Sequence, residues 1–451
     1  MEKSVPLVCI TESSPLLQEQ DAKTSRWAFS HGFCGQKGRL LSVPDDEGAI
    51  AAWLFGMGKA SETRDMATGL AAMALPEGIY TLEGGFEDPT AAALGFILGS
   101  YRFSSYKIFP RSPQLAFNSD IDRPEVDRLA QAAFIARDLI NLPANDLGPE
   151  KLDAAIRRFA YDHEMSVTSF VGDELLVHGF PLVHTVGRAS AEAPRLLDLT
   201  WGHASDPKVT VVGKGVTFDT GGLNLKSFDH MESMKCDMAG AANALGIAHA
   251  VISANLPVRL RVIVPIVESA VASSAFRPGD IIRARNGITV EIGFTDAEGR
   301  LILADALAYA DEEAPVALID LATLTGAAGV ALGSDIAALY CTDDGFAASL
   351  CEQGTRWDDP VWRMPLWSDY EFMLSSEPAD CNNFKSESFA GSITAALFLR
   401  KFVARSHLWA HFDIPGWTKR QTNSRPVGGT DHAIRAIYMA LKHRKFYRNI
   451  P

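Results

Sequence analysis

From about residue 193 onward, short apolar runs alternate with stretches of helical spacing: LLDLTW, VTVVG, LRVIVPIV, PVALIDLA, IAALYC and LWAHFDI are the runs. A strand buried on both faces is apolar at consecutive positions, and parallel strands need crossovers that are usually helices. The pattern therefore predicts a mostly parallel α/β sheet flanked by helices. Roughly the first 120 residues carry a sparser version. Apolar segments lie at Pro6 to Ile10 and around Ala49 to Phe55, and DPTAAALGFILGSYRF, Asp88 to Phe103, has the spacing of a helix. RPEVDRLAQAAFIARDL, Arg123 to Leu139, is also helical in spacing. Its Pro124 falls near the start, where a missing N–H does no harm. NLPANDLGPEKL then reads as a turn before a further helix. The expected organisation is a small N-terminal α/β domain, residues 1–120, joined by this connector helix to a larger C-terminal α/β domain, residues 121–451.

Composition narrows the picture. The 451 residues, 47 % hydrophobic and 22 % charged, can bury more than one core, as two domains require. No apolar run approaches the roughly 18 uninterrupted residues of a helical membrane span. The first residues, MEKSVPLVCITESSPLLQEQD, lack the basic start, long apolar core and small-residue cleavage site of a secretory signal, so the mature chain is expected to begin near Met1. Six scattered cysteines (Cys9, Cys34, Cys236, Cys341, Cys351, Cys381) form no CxxC pair and no disulfide framework, which fits a reducing cytoplasm. A formal net charge of −13 opposes binding to phosphate backbones, so nucleic acid is not an expected partner, and without a span neither is a membrane. The basic tail KHRKFYRNIP reads as a short solvated terminus.

The chemistry concentrates in three segments at the ends of predicted strands: VVGKGVTFDTGGLNLK (Val211 to Lys226), MKCDMAGAA (Met234 to Ala242) and FTDAEGRL (Phe294 to Leu301). Strand ends are where α/β sheets build their sites. Taken singly, a lysine after a strand is usually solvated and a Gly-Gly pair usually marks a turn; VVGKG also lacks the spacing of a P-loop. Together, Asp219, Asp237, Asp296 and Glu298 supply four carboxylates, a match for two divalent ions. Burying them uncompensated would be costly. With no His or Cys among them, the shell offers oxygen and at most one amine, from Lys214, which suits Zn²⁺, Mn²⁺, Co²⁺ or Mg²⁺. Two ions about 3.5 to 4 Å apart activate water for hydrolysis. Lys226 and Arg300 remain as cations able to stabilise a negative oxygen or hold a small anion.

VGKGVTFDTGGLNLK, the DMAGAA that follows, TDAEGRL and DLATLTGA together resemble the leucyl aminopeptidase family, also called cytosol aminopeptidase or peptidase A. The resemblance extends through WRMPLW, ADCNNF, AGSITAALFLRKFV and WAHFDIPG, and fades before residue 120, where chiefly GSYRFSSYK carries it. It implies a metal-dependent aminopeptidase whose catalytic domain holds two divalent ions, manganese or zinc foremost. Asp219 and Glu298 would bridge the ions, Lys214 and Asp237 would complete one shell, and Asp296 the other. Lys214 can coordinate only as a neutral amine, which burial and adjacent dications favour. Lys226 would bind the gem-diolate oxygen, and Arg300 would hold a bicarbonate ion acting as proton relay. Met234, Thr323 and Gly326 would line the first side-chain pocket, with the backbone around Leu324 receiving the peptide. Met234 serves equally as core packing. Short peptides are the implied substrates, with a leucine-type N-terminal preference, and a cytoplasmic homohexamer the implied assembly.

Three positions depart from the family pattern: Phe294 stands where Asn is usual, Ala239 where the first Gly of DMGGAA is usual, and Pro415 where Ala follows DI. None removes a ligand, although Phe294 changes polarity beside Asp296. His411 and Asp413 in WAHFDI are read as having a structural, hydrogen-bonded role rather than as catalysts. Two rival functions use the same residues or surface: a di-metal phosphoesterase, and a non-catalytic or DNA-binding member, which the acidic balance opposes.

Overall fold

In the first of two units, Val5–Thr11 (β1), Leu40–Pro44 (β2), Ile50–Gly58 (β3), Ile79–Gly84 (β4) and Gln114–Leu115 (β5) form a sheet in the order β2-β3-β1-β4-β5. Strand β1 runs parallel to both β3 and β4, and β2 closes one edge antiparallel. The helix expected at Asp88 to Phe103 spans Pro89–Gly99, capped by the Asp88 carboxylate, which accepts from the backbone N–H groups of Thr90 and Ala91. The computed structural model describes residues 4–12, 14–62, 64–384 and 389–444. The basic tail beyond Arg444 lies outside the described residues. By contact, the first unit comprises Met1–Gln131 with Lys419–Val427, and the second Ala132–Thr418 with Gly428–Pro451. The helix Arg123–Asn141 crosses from one to the other.

The second unit is built on a nine-stranded sheet. Its strands are Ser166–Val171 (β6), Arg195–Trp201 (β7), Lys208–Gly213 (β8), Gly215–Asp219 (β9), Arg259–Ser269 (β10), Ala317–Ala322 (β13), Ala337–Cys341 (β14), Val361–Arg363 (β15) and Trp409–Asp413 (β17). The order is β15-β14-β17-β13-β8-β10-β7-β6, with β9 also on β10. A small separate sheet joins Ile281–Arg283 (β11), Thr289–Glu291 (β12) and Cys381–Asn382 (β16). The centre, from β17 through β13 and β8 to β10, is parallel, and β14 against β17, β10 against β7 and β7 against β6 are antiparallel. Every residue of β13 and of β17 is buried, as strands covered on both faces must be.

Two helices set the geometry of the site. Ala239–Ser253 and Glu298–Asp311 both pack against β8, β10 and β13. The second is buried on nearly every side, with Tyr309 the one residue left partly open, so it is a core helix rather than an amphipathic surface one. Its first residue is Glu298. A carboxylate at a helix N-terminus meets the positive end of the helix dipole.

Candidate metal centre

The carboxyl ends of the parallel strands bring the three motif segments together. Lys214 sits in the break between β8 and β9, where its N–H donates to the Leu321 carbonyl at 3.0 Å and its own carbonyl accepts from Ala241 N–H at 2.9 Å. Both backbone groups are thereby satisfied, and the side chain, 2 % exposed, is aimed into the protein. Its ammonium donates to Asp237 Oδ1 at 2.8 Å and to the Thr323 carbonyl at 2.8 Å, and lies 3.1 Å from Glu298 Oε1. Gly299 makes room for it: a Cβ there would come within 2.6 Å of the Lys214 Nζ.

Asp219 ends β9, and the next turn folds back over it. Gly221 N–H donates to Asp219 Oδ1 at 2.8 Å, and Gly221 and Gly222 adopt φ of +87° and +65°. Only glycine takes two such residues in succession at little cost. The turn carries Lys226 back so that its ammonium lies 2.8 Å from Asp219 Oδ2 and in contact with Asp296. Thr295 pins the far side, donating to the Gly221 carbonyl at 2.6 Å and accepting from Asn224 N–H at 2.8 Å. One oxygen each from Asp219, Asp296 and Glu298 lie within 4.8 Å of one another.

Asp237 lies in the short 3-10 helix Met234–Met238, its Oδ1 also accepting from Thr323 Oγ1 at 2.7 Å. Among the described residues, Asp237 Oδ2 and Glu298 Oε2 are buried with no hydrogen-bond partner. Such orphaned carboxylate oxygens are expensive unless something outside the protein chain meets them. Four buried or half-buried carboxylates face the ammonium groups of Lys214 and Lys226, and negative charge stays in excess even with the Arg300 guanidinium counted. The donor set of oxygens plus one amine therefore fits hard or borderline divalent cations.

Electrostatics agree. Burial, reinforced by Glu298 and Asp237, holds the Asp219 carboxyl well above the usual carboxylate range against the pull of Lys226 and Lys214. Burial pushes Asp237 up to about 7, although Lys214 opposes it. Burial and Glu298 also raise Asp296. Burial works against Glu298 as well, but Lys214 and Lys226 outweigh it and keep this carboxyl below its ordinary value. Both lysines are held above the ordinary lysine range by the same carboxylates, against desolvation. In the metal-free chain, then, protons and ammonium groups carry the compensating charge. Metal binding must displace protons. Mn²⁺ affinity is expected to rise with pH through about 7, where Asp237 titrates. Calorimetric titration in two buffers of different ionisation enthalpy should count at least about one proton released per chain near neutrality; a count of zero contradicts this account.

Arg300 is buried, donates to the Asn383 carbonyl at 2.7 Å and lies with its guanidinium 5.9 Å from the Phe384 ring centre. Its Nε has no hydrogen-bond partner among the described residues. Burial draws it down to about 10, with Glu298 and Asp413 opposing, so it stays charged at neutral pH. Phe294 packs its ring on Phe384 at 5.0 Å, placing an aromatic pair beside the guanidinium. Asn383, which the motif reading passed over, accepts from the N–H groups of Gly293 and Phe294 and donates to the Phe294 carbonyl, fixing the approach to Asp296.

Among the candidate substrate positions, Thr323 touches Asp237 directly and Met234 shares its 3-10 turn. Leu324 is half-buried, and Gly326 is exposed at the start of the helix Gly326–Leu332, with open space where a Cβ would stand. His411 is fully buried, its Nδ1 2.6 Å from Asp320 Oδ1, and Trp409 Nε1 donates to the other oxygen of Asp320 at 2.8 Å.

Surplus buried carboxylate at the carboxyl edge of a parallel sheet, with charged donors beside it, defines a class: a metal-dependent hydrolase. Residues 134–438 match the catalytic domain of the cytosol aminopeptidase family, and residues 5–117 match the M17 aminopeptidase N-terminal domain. The chain belongs to this family of metal-dependent aminopeptidases. A probable cytosol aminopeptidase of Geotalea uraniireducens is 38 % identical over 440 residues, 91 % of this chain and 88 % of that one. One from Roseiflexus castenholzii is 38 % identical over 387 residues, 79 % and 77 % of the two chains. Among solved structures, the cytosol aminopeptidase of Coxiella burnetii superposes with a TM-score of 0.92 at 40 % identity, covering 98 % of each chain. The bottromycin maturation enzyme BotP in complex with Mn gives 0.88 at 32 % identity, covering 97 % of this chain and 99 % of that one.

Proposed function

We propose that this protein removes N-terminal residues, with a leucine-type preference, from short peptides, using two divalent ions held by Lys214, Asp219, Asp237, Asp296 and Glu298. The observation that carries the reading is the meeting of three motif segments, distant in sequence: Asp219, Asp296 and Glu298 cluster, and Lys214 joins Asp237 to Glu298, with oxygens orphaned among the described residues. Asp219 and Glu298 would be shared between the ions, Lys214 with Asp237 would hold one of them, and Asp296 the other. Bound at this place, a pair of dications supplies an activated water and polarises the peptide carbonyl.

The protein groups supply the rest. Lys226, already the ammonium partner of Asp219 and Asp296, is placed to donate to the carbonyl oxygen as negative charge develops on it. Arg300 is assigned to hold bicarbonate, which accepts a proton from water; its buried Nε, without a partner among the described residues, supports an anion site. Asp237 receives the free α-amine of the substrate, so only a terminal residue brings its carbonyl to the reacting position. Thr323, Met234 and Gly326 are assigned to the first side-chain pocket, and the backbone at Leu324 to the peptide. Phe294 and Phe384 make the surroundings of Arg300 more apolar than the Asn expected at the first position would. Manganese is the favoured ion, because the structurally similar BotP was solved with Mn. A cytoplasmic homohexamer remains part of the reading, on family resemblance alone.

The test is hydrolysis of a panel of amino-acyl p-nitroanilides by metal-stripped protein before and after addition of Mn²⁺ or Zn²⁺. N-acetylated substrates and aryl phosphates serve as controls. Cleavage restored by metal for free-amine substrates alone is expected. Turnover of aryl phosphates without the anilides would replace the peptidase by a phosphoesterase.

A further inference from the structure

The β13–β17 ladder ends where Ile414 N–H donates to the Ala322 carbonyl at 2.8 Å. Immediately beyond it the chain at Thr323 to Thr325 leaves the sheet, and its N–H groups lose the partners a neighbouring strand would give. Asp413, the last residue of β17 and in register with Ala322, takes over. Its Oδ1 accepts from Leu324 N–H at 2.9 Å and Thr325 N–H at 3.1 Å. Its Oδ2 accepts from Thr325 Oγ1 at 2.6 Å and Ser392 Oγ at 3.2 Å. Tyr340 OH donates in turn to Ser392 Oγ at 2.9 Å, and Thr325 Oγ1 accepts from Ala328 N–H, capping the helix Gly326–Leu332. The carboxylate is 2 % exposed.

The loop held in this way presents Thr323 to the metal centre through two groups at once. The Thr323 carbonyl accepts from Lys214 Nζ, and its hydroxyl donates to Asp237 Oδ1, both within 2.8 Å. We infer that Asp413 is a positioning residue for the aminopeptidase site: by fixing Leu324 and Thr325 it fixes Thr323, and so sets where the Lys214 amine and the Asp237 carboxylate stand. Among the described residues its hydrogen bonds reach none of the five candidate ligands directly, so it acts at one remove. The inference rests on the ligand assignment above. Its physical basis is that ligands are held in place by hydrogen bonds from groups outside the first shell.

The test compares Asp413→Ala and Asp413→Asn with wild type, reading Mn²⁺ affinity of stripped protein by calorimetry, KM and kcat on leucyl p-nitroanilide, and thermal midpoint. Asp413→Ala is expected to weaken Mn²⁺ binding by about 10- to 100-fold, the usual effect of losing an outer-shell partner, and to raise KM. Asp413→Asn should recover most of both. An amide oxygen still accepts the two backbone N–H groups, and its NH₂ can donate to the two hydroxyls. A lowered midpoint with unchanged Mn²⁺ affinity and KM would reduce Asp413 to a fold element and overturn the inference. Thr325→Val serves if Asp413→Ala does not fold. It removes one hydrogen bond from the same carboxylate and should move affinity and KM in the same direction by less; no change in either counts against the inference. Wild-type protein that binds Mn²⁺ but cleaves no free-amine substrate sinks the aminopeptidase reading, while the affinity comparison still judges Asp413.

Discussion

Glu298→Ala is expected to abolish aminopeptidase activity and to cost more than about 100-fold in metal affinity, beyond what loss of an outer-shell partner costs. Glu298 is the ligand candidate whose removal strips most from the cluster. It contributes to the three-carboxylate group, contacts Lys214, and leaves one oxygen free of any protein hydrogen bond. The metal-free variant should remain folded, because removing this carboxylate relieves the repulsion that, added to burial, raises Asp219 and Asp296. The informative comparison is therefore thermal unfolding with and without Mn²⁺. Wild type should gain stability with metal as RT ln(1 + [L]/Kd), and Glu298→Ala should gain far less. Glu298→Gln keeps the volume and tests the charge alone. Full Mn²⁺ stabilisation of both variants would remove Glu298 from the ligand set.

Lys226→Ala separates binding from chemistry. The ammonium contacts Asp219 and Asp296 and is assigned to the substrate oxygen rather than to the ions. Its assigned task is to meet the oxygen that becomes negative during attack, a contact strengthened only in the transition state. The expected result is a fall in kcat of about 10²- to 10³-fold, the range for losing one such donor, with KM little changed. Metal affinity should hold or rise, since a competing positive charge leaves the carboxylates. Lost metal with kcat intact after reconstitution would make Lys226 a structural counter-ion of Asp219.

Much of the protein was legible in the chain itself. The consecutive apolar positions of VTVVG, LRVIVPIV, PVALIDLA and LWAHFDI correspond to β8, β10, β13 and β17, the parallel centre of the sheet. The run LLDLTW is also a strand, but it pairs antiparallel with β10, a direction that apolarity does not encode. Likewise β2 and β4 carry no apolar run long enough to announce them; half-buried strands are held by their neighbours as much as by their own composition.

The site divides along the same line. Residue types at strand ends, the paired glycines and the surplus of carboxylates are local features, and they marked Lys214, Asp219, Lys226, Asp237, Asp296, Glu298 and Arg300 as candidates before any contact was known. What the sequence could not contain is the set of pairings across the sheet. Lys214 reaches Thr323, 109 positions away, and Asp413 reaches Leu324, 89 positions away, because β8, β13 and β17 lie side by side in a particular register. Asn383 and Gly299 carry no local mark, and Asp413 shows in the sequence only as a structural hydrogen-bonding residue, for this reason: each acts through a neighbour supplied by another element, by accepting N–H groups, orienting a loop or leaving space for a lysine. The sequence by itself determined the strand-forming runs, the turn at Gly221 and Gly222, and the chemical types available for a metal centre, because these follow from side-chain and backbone properties one residue at a time. Tertiary structure alone decided which strands run antiparallel, which carboxylate oxygens are left without a partner, and which side chains hold the ligands in place, because those depend on distances between segments that only the register of the folded sheet fixes.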